Sequence, residues 1–114
     1  AMPNLRDDRG RTPLMLAAGL GYEQILKLLL SKKTNLNTQD KNGRTALMLA
    51  ARNGHVSIIK MLLDKGAEVN AEDRGGKNAF YHAMAGGHLK AAELLRQHAT
   101  TSARNSQQNI TSLA

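Results

Sequence analysis

The feature that most constrains this sequence is a repeat with a period of 33 residues. Residues 10–22 read GRTPLMLAAGLGY, and residues 43–55 read GRTALMLAARNGH. Over the full period, 7–39 and 40–72 share sixteen of 33 positions, and a third segment, 73–105, shares seven with the second. Such a period is typical of a solenoid, in which each repeat is a small structural unit that buries its apolar face only against its neighbours.

Local signals within each repeat predict a turn followed by two helices. The first helix is expected to begin directly after Thr12 and Thr45, whose hydroxyls can accept a hydrogen bond from the new helix, and near residue 79 in the third repeat. It is expected to end at Gly21, Gly54 and Gly87, because glycine adopts a left-handed conformation at little cost. The second helix follows at once, in YEQILKLLLS, HVSIIKMLLD and HLKAAELLRQ, where apolar residues recur at the i, i+3 and i+4 spacing of one buried face.

The two helices of one repeat are too short to be stable alone, since isolated helices below about 12 to 15 residues are marginal in water. Each helix pair must therefore stack on its neighbours. Ala17, Ala50 and Ala83 recur at one position and allow close approach of the helices, while Leu14 and Leu47 are expected to fill the space between layers. The repeat exists because each copy supplies the surface that the next copy buries.

The repeats resemble the ankyrin repeat. Residues 40–72 carry nearly the whole signature of that family, including Asp-x-x-Gly-x-Thr, Leu-x-x-Ala-Ala, Gly-His, Leu-Leu and Gly-Ala-x-Val-Asn. The motif histidine that normally follows Thr-Pro-Leu is replaced by Met15, Met48 and Tyr81, so its hydrogen bond within the turn is expected to be absent. The resemblance covers about residues 7–99 and implies an all-α ankyrin-repeat solenoid, in which three helix-turn-helix pairs are joined by β-turn or hairpin loops.

The repeat positions divide the chain into five segments. These are a lead-in or cloning remnant at 1–6, unit 1 at 7–39, unit 2 at 40–72, unit 3 at 73–99 and a flexible polar tail at 100–114. Unit 3 is expected to act as a C-terminal cap, because Ala91 and Arg96 replace Ile58 and Leu63 and thin its apolar face.

Unit 1 differs from unit 3 in keeping an apolar outer face. Ile25 and Leu28 stand in its second helix, without the polar substitutions of a cap. We expect this face to be covered by further repeats upstream or by self-association of the chain. Lys33 stands where unit 2 has Gly66; if that position is left-handed, Lys33→Gly should stabilise the fold.

The sequence indicates no catalytic or metal site. There is no cysteine, and two of the four histidines, His55 and His88, share one repeat position, where they are interpreted as turn-stabilising residues; a zinc ion needs about four well-placed ligands. Gly75-Gly76-Lys77 lacks the further glycine and the Ser or Thr of a phosphate-binding loop. We therefore expect a protein that is not an enzyme and that uses no cofactor, metal or small-molecule substrate.

The charge of the chain points to an anionic partner. Sixteen Lys and Arg against nine Asp and Glu give a net charge of +7, which favours association with acidic protein, nucleic acid or an anionic membrane surface. In ankyrin repeats the turn tips and first helices form the concave face that usually binds a protein. The resemblance thus implies a partner site made of Arg9, Arg11, Leu20, Lys41, Asn42, Arg44, Arg52, Asn53, Arg74, Lys77 and Tyr81.

We expect this site to bind an acidic or phosphorylated protein segment, with Arg44 and Arg52 as anchors, because arginine can bind carboxylate or phosphate in a bidentate manner. Two alternatives remain: the basic tips are only a solvated surface and the true site lies in upstream repeats, or the tips bind nucleic-acid phosphates. The three aromatic residues are few for base stacking, and the lack of an apolar run of roughly 18 residues argues against membrane insertion.

The resemblance also implies a modification. Asn70, in GAEVNAED, and Asn37, in TNLNTQD, resemble asparagines that a 2-oxoglutarate-dependent dioxygenase hydroxylates in this family. The alternative is that each asparagine only braces its turn through its side chain. An intracellular scaffold or adaptor, in the cytoplasm or alternatively the nucleus, fits a cysteine-free chain without a visible secretion signal.

Overall fold

The computed structural model describes residues 5–99. Within this range each unit forms two helices and no strand is formed, which confirms the all-α solenoid of three helix pairs. The predicted tail at 100–114 and most of the lead-in lie outside the described residues. The helices are α1 (Pro13–Leu20), α2 (Glu23–Leu30), α3 (Ala46–Arg52), α4 (Val56–Asp64), α5 (Ala79–Ala85) and α6 (89–99).

Side-chain caps fix the start of the first helix in every unit. The hydroxyls of Thr12 and Thr45 accept hydrogen bonds of 3.2 and 3.3 Å from the backbone N–H three residues further on, which confirms the two predicted caps. In unit 3 the side chain of Asn78 takes this role and accepts a bond of 2.9 Å. Asparagine is as good a cap as threonine, so all three helices begin at the same repeat position.

Left-handed glycines separate the two helices of each unit, as predicted. Gly21, Gly54 and Gly87 have φ values of 81°, 74° and 76°. At Gly54 a second constraint applies, because a Cβ atom there would lie 2.5 Å from the ring of His88. Glycine is thus required at this turn both by its backbone conformation and by the close approach of unit 3.

The apolar core runs through all three units. Helices α1, α3 and α5 pack side by side in one layer, while α2 and α4 pack behind α1 and α3 and against each other. Leu14 and Leu47 are buried between the layers, as expected, and Ala50 and Ala83 are fully buried where neighbouring helices approach. Each buried leucine contributes about 1.5–3 kcal/mol of stability, and most of its contacts require the adjacent helices to be in place.

The outer face of unit 1 remains uncovered within the described residues. Ile58 in unit 2 and Ala91 in unit 3 are 1% and 0% exposed, whereas Ile25, at the same repeat position of unit 1, is 51% exposed. Leu28 on the same helix is 61% exposed. This pattern indicates that the position faces the preceding unit.

The prediction for Lys33 is wrong. Among residues 5–99, only glycines have a positive φ, so Lys33 is not left-handed. Helix α2 ends differently from α4. The Ser31 hydroxyl donates to the Leu28 carbonyl at 2.6 Å, whereas α4 ends with bonds of 3.0 Å from the Gly66 N–H to the Leu63 carbonyl and from the Ala67 N–H to the Leu62 carbonyl. Lys33→Gly therefore has no strain to relieve.

Candidate protein-binding site

Each unit opens with a loop that is held by an aspartate. In unit 2 the Oδ1 atom of Asp40 accepts hydrogen bonds from the N–H groups of Asn42 at 2.8 Å and Arg44 at 2.9 Å. Asp7 and Asp73 make the equivalent pairs of bonds in units 1 and 3. The carboxylates are therefore bonded to the backbone, and the basic side chains of the loops are left as the charged groups at the tips.

Backbone hydrogen bonds join the three loops into one edge. The N–H of Lys41 donates to the carbonyl of Arg9 at 3.0 Å, and the N–H of Arg74 donates to the carbonyl of Asn42 at 3.0 Å. The tips of successive units therefore lie next to each other. This contact sets the spacing of the basic residues along the edge.

An open cavity of about 340 Å³ lies between units 2 and 3. The unit 2 loop and the end of α3 form one side, and the unit 3 loop and α5 form the other. We call it the basic cavity; its lining also includes Asp73 and His82. It brings together six of the residues predicted to bind a partner: Asn42, Arg44, Arg52, Arg74, Lys77 and Tyr81.

A buried hydrogen-bonded chain forms one side of the basic cavity. The Nε2 atom of His82 lies 2.9 Å from Oδ2 of Asp73, and the two side chains are 3% and 7% exposed. An Nη atom of Arg52 lies 3.3 Å from Nδ1 of the same imidazole. Since arginine can only donate, Nδ1 acts as the acceptor and Nε2–H donates to the carboxylate. His82 thus links α5 to α3.

The carboxylate of Asp73 is held in its ionised form. Burial by itself would raise its pKa, but hydrogen bonds from the Lys77 N–H, the His82 side chain and the Gly75 N–H outweigh burial and lower the pKa below the ordinary value of 3.8. With both oxygens occupied, Asp73 is a poor competitor for the arginines of the cavity. The charge that the cavity presents is therefore strongly positive.

Sequence reasoning missed Asp73 and His82 as members of the site. The position of the family's motif histidine is taken by Tyr81, and the histidine stands one residue later. The available signal was that His82 replaces Leu16 and Leu49 of the other units. A polar residue at an otherwise leucine position indicates a buried hydrogen bond that the other units lack.

Two further basic side chains of the cavity have distinct environments. The Nε atom of Arg44 is buried and has no hydrogen-bond partner within residues 5–99. The Nζ atom of Lys77 lies 4.4 Å from the centre of the Tyr81 ring, within the range of a cation–π contact. Tyr81 therefore stands beside a lysine charge, and Arg44 carries an unused donor.

The remaining predicted residues lie outside the basic cavity. Arg11 forms an ion pair with Asp7, in which its Nε atom lies 3.0 Å from the carboxylate. The side-chain amide of Asn53 donates to the carbonyl of Gly19 at 2.7 Å and so fastens unit 2 to unit 1. The full set of predicted residues outside the basic cavity is Arg9, Arg11, Leu20, Lys41 and Asn53.

Units 2 and 3 share a histidine at one repeat position, His55 and His88. His55 has a structural role. Its Nε2 atom lies 3.1 Å from the carbonyl oxygen of Gly19, and its ring packs against Gly21. Residues 5–99 contain no group of three or more His, Asp or Glu side chains that could hold a metal ion.

The two asparagines predicted as hydroxylation sites differ in their surroundings. Oδ1 of Asn37 accepts a hydrogen bond of 2.9 Å from the N–H of Glu68, so this side chain braces the contact between units 1 and 2. Asn70 is exposed. Hydroxylation of either residue stays a prediction.

Helix pairs stacked at a constant repeat, with a site on their loops and inner helices, define a helical-repeat protein. A family model described as "Ankyrin repeats (3 copies)" matches residues 1–73, and one described as "Ankyrin repeats (many copies)" matches residues 57–96. The chain belongs to the ankyrin-repeat family, whose repeats are generally protein–protein interaction modules. A search of curated proteins found no match. Among residues 5–99, no helix combines the length and apolar character needed to cross a bilayer.

Proposed function

We propose that the chain is a non-catalytic scaffold or adaptor module of the cytoplasm, and that its basic cavity binds an acidic or phosphorylated segment of a partner protein. The observation that carries this proposal is the composition of the cavity. Arg44, Arg52, Arg74 and Lys77 line it together, and Asp73, its one carboxylate, is already hydrogen-bonded. An anionic segment would supply the missing negative charge.

Arg44 and Arg52 are the proposed anchors. Both stand in the central part of the described solenoid, on opposite ends of the same loop-and-helix segment of unit 2. The imidazole of His82 orients Arg52 and contacts one of its Nη atoms. Among residues 5–99 the other donors of the guanidinium make no hydrogen bond, so they can bind two oxygens of one carboxylate or phosphate.

The test is affinity capture from nuclease-treated cell lysate with three forms of the chain. The wild type is compared with Arg44→Glu/Arg52→Glu and with the control Lys60→Glu/Lys90→Glu, which makes the same change in charge at exposed residues of α4 and α6. A specific protein retained by the wild type and the control, but lost with the arginine variant, supports the proposal. Equal retention by all three forms contradicts it.

Nucleic-acid binding is the lesser alternative, and a parallel capture from untreated lysate separates it. Contacts to phosphate diesters give an affinity that falls steeply with salt and is indifferent to sequence. Tyr81 is the one Phe, Tyr or Trp residue in the cavity lining, whereas single-stranded binding uses several such rings for stacking. Material that is lost only after nuclease treatment would favour this alternative.

A second proposal concerns the outer face of unit 1, defined by Ile25 and Leu28. We propose that this face binds an ankyrin-type helix pair, which stacks on unit 1 in the way that unit 1 stacks on unit 2. The exposure of Ile25 supports it, because the equivalent Ile58 and Ala91, which have a unit before them, are buried. The pair is supplied by a further repeat of a longer array or, for the isolated chain, by a second copy.

A further inference from the structure

We infer that the basic cavity recognises a phosphate monoester on the partner, in preference to a carboxylate. The inference rests on the proposed function and narrows it to one chemical class. Its basis is the number of positive charges around one cavity, the unused Nε donor of Arg44 and the blocked carboxylate of Asp73.

The unused donor is the first step. Nε of Arg44 is buried without a hydrogen-bond partner among the described residues. A buried N–H in this state has lost its bonds to water without replacing them, and native proteins keep few such groups. Arg44 lines the open cavity, and on binding its side chain turns so that the Nε–H meets an acceptor oxygen of the anion. A bound anion therefore supplies the hydrogen-bond acceptor that this N–H lacks in the unbound chain.

The charge balance is the second step. Four cationic side chains and one carboxylate leave an excess of three positive charges around the basic cavity. A carboxylate brings one negative charge and two oxygens. A phosphate monoester brings a charge of about −1.5 to −2 near neutral pH and three strong acceptor oxygens. The monoester therefore matches both the charge and the number of donors better.

The blocked carboxylate is the third step. Oδ1 of Asp73 accepts from the N–H groups of Gly75 and Lys77, each at 2.9 Å, and Oδ2 lies 2.9 Å from Nε2 of His82. The Asp73 carboxylate already accepts hydrogen bonds at both oxygens, so it competes little with an incoming anion for the donors of the cavity. Because His82 also holds Arg52 at 3.3 Å, the same imidazole keeps an arginine beside the ligand.

Nuclear magnetic resonance of the 15N-labelled chain tests the inference, because arginine Nε–H groups give their own signals. Inorganic phosphate and acetate are titrated separately at matched ionic strength. We expect phosphate to shift the Nε–H signal of Arg44 and the amide signals of 42–44 and 74–77 in a saturable way, with an affinity about ten-fold higher than that of acetate.

Three results are informative. Equal affinities for phosphate and acetate at these signals overturn the phosphate preference and leave the proposed function standing. No saturable shift with either anion contradicts both. A phosphate response confined to signals outside the basic cavity overturns the inference and moves the anion site elsewhere.

Variants and a peptide sharpen the result. Arg44→Lys keeps the charge but removes the Nε donor, so phosphate affinity should fall about ten-fold while acetate affinity changes little; Lys60→Glu/Lys90→Glu should leave both unchanged. A short peptide with one phosphoserine among Gly and Ala should bind about ten-fold more tightly than the same peptide with Glu. A peptide without measurable affinity, beside clear binding of inorganic phosphate, would identify a free phosphate as the ligand and contradict recognition of a partner.

Discussion

The imidazole of His82 and the carboxylate of Asp73 meet at 2.9 Å between Nε2 and Oδ2, and both side chains are buried. The bond fastens the start of the unit 3 loop to α5, nine residues further along the chain. On its other side the same ring contacts Arg52 of unit 2. One histidine therefore shapes the loop of unit 3 and orients an arginine of the basic cavity.

The Asp73 carboxylate makes the stability of the fold depend on pH. Its pKa is lowered in the folded chain, since burial, which would raise it, is outweighed by hydrogen bonds from Lys77, His82 and Gly75. A group with a depressed pKa stabilises the fold above the unfolded-state value, here 3.8, and loses this contribution as the pH falls through the folded-state value. We expect Asp73→Asn to be less stable than the wild type near neutral pH, with a difference that shrinks below pH 3.8.

Urea unfolding at a series of pH values measures this difference. Asp7→Asn is the matched control, because Asp7 holds the same loop in unit 1 but pairs with the half-exposed Arg11 instead of a buried histidine. Its effect at neutral pH should be smaller than that of Asp73→Asn. Equal effects of the two variants would show that the pairing with His82 adds nothing to the loop.

His82→Leu tests whether the hydrogen bonds of the histidine matter, or only its packing. Units 1 and 2 carry Leu16 and Leu49 at this position, so a leucine fits the repeat. The substitution leaves Oδ2 of Asp73 without its donor, which costs about 1–3 kcal/mol, and it releases Arg52. We expect a lower melting temperature and weaker anion binding; a stabilised variant with unchanged binding would refute the role given to His82.

The glycines between the helices provide a matched pair. Gly54 and Gly87 have nearly the same φ values, 74° and 76°. A Cβ atom added at Gly54 would lie 2.5 Å from the His88 ring, whereas one added at Gly87 would have no described atom within 4 Å. Gly87→Ala should cost about 1 kcal/mol through its left-handed backbone. Gly54→Ala should cost about 3 kcal/mol, because the ring must also move. Equal losses of unfolding free energy would contradict the packing at His88.

The apolar face of unit 1 predicts the association state of the isolated chain. Sedimentation velocity over a range of concentrations should show reversible dimers, since Ile25 and Leu28 are exposed. Leu28→Glu should abolish the dimer with little change in melting temperature, because this side chain makes few contacts within the chain. A wild type that stays monomeric at high concentration would exclude self-association and leave a preceding repeat as the occupant.

The repeat architecture could be predicted because its signals are local. Capping threonines, left-handed glycines and the spacing of leucines each act within a few residues, and the period of 33 residues tests every assignment three times. The helix starts after Thr12 and Thr45 and the turns at Gly21, Gly54 and Gly87 follow from these signals alone. The prediction for Lys33 was wrong because the end of α2 depends on a hydrogen bond from the Ser31 hydroxyl that unit 2 does not share.

The composition of the candidate site was less accessible from sequence. The residues that line the basic cavity come from two units, and the contact between Arg52 and His82 joins residues 30 positions apart. Such a contact depends on the stacking of units and on side-chain direction, which no local pattern encodes. The repeat did predict that Arg44, Arg52, Arg74 and Lys77 belong to one edge, but not that Arg9 and Lys41 lie outside the cavity.

The most direct measurement for the central claim is hydrogen–deuterium exchange of the chain, free and bound to a partner protein captured as described above. If the basic cavity holds the anionic segment of that partner, binding slows exchange in the loops at 41–44 and 74–77 and at the start of α5, while α2 and the exposed side of α4 exchange at unchanged rates. Slowing at α2 or α4, with the two loops unaffected, would contradict the claim and place the partner on a different face of the solenoid.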